Sequence, residues 1–502
     1  MKQTERRCAR RTLVALLVGV VVTTAFHIDA SSAAFRPAAL APLIDAAKKA
    51  DSGAIEALLE QGVAVEATEP DGTTALHWAS YRDDLDSAGL LIRAGAPVNA
   101  ANDLGATALW TASQNGSATM VTLLLNAGAD PNVALLNGET PAMVAARSGS
   151  AAVIAMLAEG GADLDARSTR HQTALMWAAA QSHADVVSVL LDYGADVHAR
   201  SAVWSQLMAV PPHSYPSNHR YVPHGANTAL MFAARVGAVE SVQRLVAAGA
   251  DVTDSNAWGV SAVAMAAHAG HTDVAELLLE HGADPDAANA GFSPLHAAVM
   301  HRNERLVASL LAHGADPNVQ LGAWTPRRRA SADHNFEPAL VGATPFWLAA
   351  RFAEAGLMRI LASYGANPLF TLDVEYQADY RGGVAKHQRD VTTAVMAATG
   401  MGGNTQRAWI QRARVEPERA VLDAVRVATD LGASVDGADQ TGDTPLHYAA
   451  VNGHDLVVTY LVEHGARLDV ENDRGETPRR AAAARGRGGF TVELLDSLAE
   501  LR

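Results

Sequence analysis

Imidazole is the most chemically versatile side chain this sequence offers, and three histidines stand apart from the rest. His213, His219 and His224 share one Pro-rich stretch, and their ring nitrogens suit zinc and related ions. Spacings of six and five on such a loop fit neither a helical nor a hairpin ligand set. The expectation is therefore a packed or partner-facing aromatic loop and no metal. The other histidines recur in repeated settings. His77, His296 and His447 follow a capping Thr or Ser by three residues, His271 and His454 sit in Gly-His turns, and His281, His313 and His464 each precede a glycine. A repeated position implies a repeated structural need. No catalytic set emerges: there is no Gly-x-Ser-x-Gly and no His-Glu-x-x-His, and Gly400-Met401-Gly402-Gly403 lacks the strand and lysine of a phosphate loop. The carboxylates of Asp130, Asp163, Asp196, Asp251, Asp284 and Asp316 all follow Gly-Ala, again as repeats. Neither an enzyme nor a cofactor is expected.

The aromatic and basic residues point to binding instead. Trp78, Trp110, Trp177 and Trp347 fall three or four residues after a capping Thr, with Phe232 and Tyr448 at the same place. Trp258 lies at a connector tip, and Trp204, Trp324 and Trp409 lie in insertions, Trp204 together with Tyr215 and Tyr221. Large aromatics anchor interfaces out of proportion to their number. Arg327, Arg328 and Arg329 form a basic run on an acidic chain. It suits a solvated loop, an acidic partner, or a clamp onto Asp373, Glu375 and Asp379 nearby.

The elements that position these residues are read from one unit, Thr444-Pro445-Leu446-His447-Tyr448-Ala449-Ala450 with Gly453, Leu461 and Gly465. Thr444 caps a helix N-terminus and Pro445 fits its first turn. Leu446, Ala449 and Ala450 make a small apolar face, and glycines end this helix and the next. The capping Thr or Ser recurs at 74, 107, 140, 173, 228, 261, 293, 344, 393, 444 and 477, with 33 residues as the basic step. Four residues before each stop glycine stands Leu58, Leu91, Leu124, Leu157, Leu190, Leu245, Leu278, Leu310, Leu361, Ala428 or Leu461. A 33-residue period of two short helices and a turn resembles the ankyrin repeat, from about residue 40 to 500. The resemblance implies an all-α ankyrin-repeat solenoid with β-hairpin-like connectors, about twelve units and four insertions.

The expected organisation follows from this register. Residues 1–34 read as a signal peptide, 35–73 as an N-terminal capping unit, and 74–198 as regular repeats. Insertion 1 occupies 199–227, repeats resume over 228–318, and insertion 2 covers 319–343. Repeats fill 344–502, with insertions at about 369–390 and 400–418 and a C-terminal cap where Arg479-Arg480 replaces the usual Leu-His. Units stacked at about 10 Å would place the first two enlarged connectors about 30 Å apart on one edge.

Formal charge is −15. The first 34 residues carry +3, leaving an acidic body that argues against nucleic acid or anionic lipid as partner. Basic residues from Lys2 to Arg11 precede a 14-residue apolar run, Leu13 to Phe26, short for a membrane span. The one cysteine, Cys8, would leave with the signal, so the mature chain would hold no thiol and suit an oxidising compartment. The Ala- and Arg-rich, Lys-poor composition looks bacterial. A periplasmic or secreted protein is expected, or one held at the inner membrane by an uncleaved signal. The resemblance implies a monomeric, non-catalytic scaffold that binds a protein partner through its concave face and enlarged connectors. The alternatives are a site built by the insertions, catalytic or metal-binding, and an effector acting on a foreign cell.

Overall fold

The computed structural model describes residues 42–209, 219–325, 336–379, 385–401, 417–485 and 489–501. The signal reading, His213, Tyr215, Arg327 to Arg329, Trp409 and most of the fourth insertion lie outside them. Within them the chain is a stack of helix pairs. A typical pair is Ala108–Asn115 followed by Ala118–Asn126, and the next is Pro141–Ser148 followed by Ala151–Glu159. First helices pack on first helices and second on second, giving two layers with the core between them.

The register read from the sequence corresponds to physical positions. The Leu four residues before each stop glycine is fully buried from Leu91 to Leu461, as is Ala428; only Leu58, in the terminal unit, is partly exposed. Each stop glycine has positive φ. Gly128, at φ 88°, has nothing within 4 Å of where a Cβ would stand, so the backbone conformation requires glycine there and crowding does not. Capping hydroxyls accept from the N–H three residues on, as Thr107 does from Trp110 at 3.2 Å.

Histidine three residues after the cap links neighbouring units. The Thr74 N–H donates to Nδ1 of His77 (3.1 Å), so Nε2 carries the proton and donates to the Ala106 carbonyl (2.8 Å). His447 repeats this between Thr444 (3.1 Å) and Glu476 (3.0 Å). A second ladder runs through the Gly-Ala-Asp segments. Asn132 donates to the Gly161 carbonyl (3.1 Å) and accepts from the Asp163 N–H (2.7 Å).

Two enlarged connectors are true antiparallel hairpins. β1 (Trp204–Ala209) pairs with β2 (His219–His224), and β3 (Leu372–Asp379) with β4 (Ala385–Thr392). A lone hairpin is marginal in water, so each needs an anchor. Leu372, Val374 and Tyr376 turn inward from β3 and are buried. Asp390 on β4 accepts from the Tyr376 hydroxyl (2.8 Å) and from Gln440 of the following unit (3.2 Å). Val222 on β2 is fully buried, and Arg220 on the same face lies over the Trp324 ring, 5.4 Å from its centroid. The first and second enlarged connectors therefore meet at this contact and are not held about 30 Å apart. Six-residue strands reach about 20 Å, enough to lean across the shorter connectors between.

Candidate functional site

Ordinary connectors form fingers along one edge of the stack. In most of them the two arms are joined by a backbone bond, as from Asn102 N–H to the Ala106 carbonyl (3.0 Å) and from Leu135 N–H to the Glu139 carbonyl (3.0 Å). Each tip also bonds the next. Asp103 donates to Asp71 (2.8 Å), Leu136 to Leu104 (3.0 Å), Thr169 to Asn137 (2.9 Å) and Ala202 to Arg170 (2.8 Å). The tips thus make one continuous rim from Asp71 to β1.

This rim carries large exposed apolar side chains. Leu104 is 66% exposed and Leu136 77%, and their backbones are hydrogen-bonded to each other. Further along, Val203 and Trp204 are exposed, and Leu207 faces Tyr221 directly across the hairpin with both exposed. Arg167 and Arg170 stand exposed between the leucine pair and the hairpin. Sequence-based reading did not single out Leu104 or Leu136. The available signal was an apolar residue at tips where Asp71, Asn137 and Arg170 are polar.

The sequence-predicted residues divide three ways. Trp204 and Tyr221 are exposed on the hairpin, with Trp204 stacked on His224 at 4.4 Å. Trp78, Trp110, Trp177, Trp258 and Trp324 are half-buried. Trp78 donates to Glu69 (2.7 Å), while Lys48 sits 5.0 Å from its ring centroid and pairs with Glu69 at 2.6 Å. Arg147 lies 5.5 Å from the Trp177 ring centroid, and Trp258 packs edge-on to Phe292. Trp347 and Phe232 correct the expectation of a partner-facing aromatic row. Trp347 is 1% exposed, with its indole N–H donating to the Thr392 carbonyl at 3.2 Å. Phe232 is buried in the same core, with Arg235 across its ring. Both fill space between units, because the small Ala faces of adjacent first helices leave room there.

The hairpins also fix the geometry of several polar side chains. His219 and His224 are five apart on one strand, so they point to opposite faces and cannot share an ion. Asp373 pairs with Arg389 (2.8 Å) and Glu375 lies 3.6 Å from His387, so these two acidic side chains of β3 have partners within their own hairpin.

A buried polar group that sequence reading did not assemble lies at the base of β3–β4. Burial, with Asp390 beside it, drives the Tyr376 hydroxyl well above its ordinary range. Burial also pushes Tyr448 up to about 12 and lowers Arg351, an effect that the carboxylates of Glu337 and Asp390 partly offset. The group locks the hairpin onto the stack and keeps its phenols protonated.

The geometry described so far matches known proteins in one respect above all. A family model described as ankyrin repeats in three copies matches residues 43–134, 133–201, 230–320 and 418–500, well over half of the chain. The human protein "Ankyrin repeat domain-containing protein 63" is 37% identical over 75 residues, covering 14% of this chain and 20% of that protein. Mouse "Protein phosphatase 1 regulatory subunit 27" is 39% identical over 52 residues, 10% of this chain and 34% of that one. The chain thus spans about a third or less of these relatives. The crystal structure of the human ASB11 ankyrin repeat domain is 29% identical, covers 49% of this chain and 99% of its own, and has a TM-score of 0.40. With the two helical layers, the ladders of capping and finger bonds and the 33-residue register all in place, the chain belongs to the ankyrin repeat family.

Proposed function

We propose that this protein is an exported, non-catalytic scaffold that holds a protein partner along its finger rim. The observation that carries the reading is the exposure, on one hydrogen-bonded rim, of Leu104 and Leu136 on consecutive fingers and of Val203, Trp204, Leu207 and Tyr221 at the hairpin one finger beyond. Single exposed apolar residues need no explanation, but two apolar groups on one rim, with the exposed Arg167 and Arg170 between them, favour an interface. Ankyrin repeats are in general protein-interaction modules, and the family supports the same reading. At its end of the rim the hairpin β1–β2 presents Leu207 and Tyr221 on one face and Trp204 on the other.

The address is part of the proposal. A basic start, an apolar run of 14 residues and a body free of cysteine support export to the periplasm or beyond the cell. Among the described residues no helix is long and apolar enough to cross a membrane. The test is co-purification of the C-terminally tagged chain from fractionated native cells, beside a version with residues 202–223 replaced by an ordinary connector. One dominant partner in the exported fraction, lost from the shortened version, supports the reading. A partner retained in full by the shortened version, or a chain found only in the cytoplasm, contradicts it.

A further inference from the structure

The spacing of the finger tips carries information about the shape of what lies on them. Each finger consists of two arms at strand distance, and its tip is hydrogen-bonded to the next finger, again at strand distance. Two strand spacings give a repeat of about 10 Å per finger. At equivalent tip positions, each one residue before the positive-φ turn residue Gly72, Gly105, Gly138 or His171, stand Asp71, Leu104, Asn137 and Arg170. All four are exposed, and Leu104 is joined by Leu136. The rim therefore reads acidic, apolar, amide and basic, one step per finger, and its next step is apolar again at exposed Val203, with Trp204 following it into β1.

Resting on the scaffold reading above, we propose that the rim binds a polyproline II segment of its protein partner, one helical turn per finger. Such a segment has three residues per turn and rises about 3.1 Å per residue, so its turn is about 9 Å and matches the finger repeat. A β-strand returns to the same face every two residues, about 6.6 Å, and falls out of step. The complementary segment presents a basic residue at i, an apolar one at i+3, an amide at i+6, a carboxylate at i+9 and an aromatic at i+12. Asp71 meets the basic end. Hydrogen bonds from the Thr73 N–H (3.0 Å) and hydroxyl (3.0 Å) hold its carboxyl below the usual range and keep it charged. Arg170 meets the carboxylate; among the described residues its side chain makes no ion pair. A preformed polyproline helix also loses little entropy on docking, which favours recognition by a rigid row.

The test uses the full exported chain and fluorescein-labelled peptides read by anisotropy. The first peptide is Lys-Pro-Pro-Leu-Pro-Pro-Asn-Pro-Pro-Glu-Pro-Pro-Trp, used also in reversed order. The comparator keeps the five recognition residues but spaces them by four. The three-residue spacing, in one direction, is expected to bind at least about tenfold tighter than the four-residue spacing. Arg170→Glu should lose at least about tenfold with the Glu peptide and recover when Lys replaces that Glu. Circular dichroism checks that the exposed substitution leaves the fold intact. No binding in either direction, equal binding at both spacings, or indifference to Arg170→Glu overturns the proposal. If the native partner is still captured through the rim while every peptide is ignored, the polyproline inference fails and the scaffold reading stands.

Discussion

His296 is an imidazole with no exposure to water, and burial lowers its pKa to about 4. Its Nδ1 accepts from the Ser293 N–H (3.2 Å), leaving Nε2 directed at the Ala343 carbonyl (3.3 Å). A second proton on Nδ1 would break the first of these bonds. The folded pKa lies below the unfolded value near 6.5, so the unfolded chain binds more protons between about pH 4 and 6.5. Stability from this residue is complete above that window and is lost as pH falls through it, on the order of 3 kcal/mol in all. The prediction is that the drop in urea midpoint between pH 7.5 and 4.5 shrinks in His296→Asn; an unchanged drop would contradict it. Gly225 is a second position where one atom decides. Its φ is 91°, and a Cβ would lie 1.8 Å from the Ala202 carbonyl oxygen. Gly225→Ala is expected to displace the base of β1–β2, read as faster amide exchange across both strands with the flanking helices unchanged.

The helices were legible in the sequence and the hairpins were not. Caps, stop glycines and the buried leucines repeat, and repetition lets eleven weak local signals confirm one another. Leu278→Ala should therefore cost about 2–5 kcal/mol, measured as local exchange in Thr272–Glu280 and the helices beside it. Ala428 tolerates its small size because Tyr460 of the next unit is buried against that helix, its hydroxyl 2.7 Å from that of Thr429. The insertions occur once each, so nothing in the chain cross-checks them. β3 alternates Leu372, Val374 and Tyr376 with Asp373 and Glu375, a strand pattern in retrospect. Its anchor through Asp390 and Gln440 joins residues 50 apart and has no local signature. Asp390→Ala should loosen the hairpin, since the Tyr376 hydroxyl and the Gln440 side-chain N–H lose their acceptor and only the Val391 N–H bond to Gln440 Oε1 (3.2 Å) is left at that point, and speed amide exchange in β3 and β4 well before the helices; equal protection would contradict the anchoring role. Trp347 and Phe232 looked like partner contacts because position on a first helix does not say how far a neighbour covers it.

For the chain as a whole, the proposed binding surface is the finger rim, and the second-helix layer supports it. A solenoid distributes stability unit by unit, so loss of one rim residue should leave the stack folded and change only what it holds. The candidate site was partly legible: Trp204 and Tyr221 were visible as aromatics, whereas Leu104 and Leu136 became significant only when the stack set them side by side. The decisive measurement is photo-crosslinking in the native cell, with a photoreactive residue placed in turn at Leu136, Leu207 and Tyr221, and at Leu456 in Asp455–Glu463 on the second-helix layer. Binding along the rim predicts that one protein is captured from all three rim positions and is absent from the Leu456 position. Capture from Leu456 with none from the rim would contradict it.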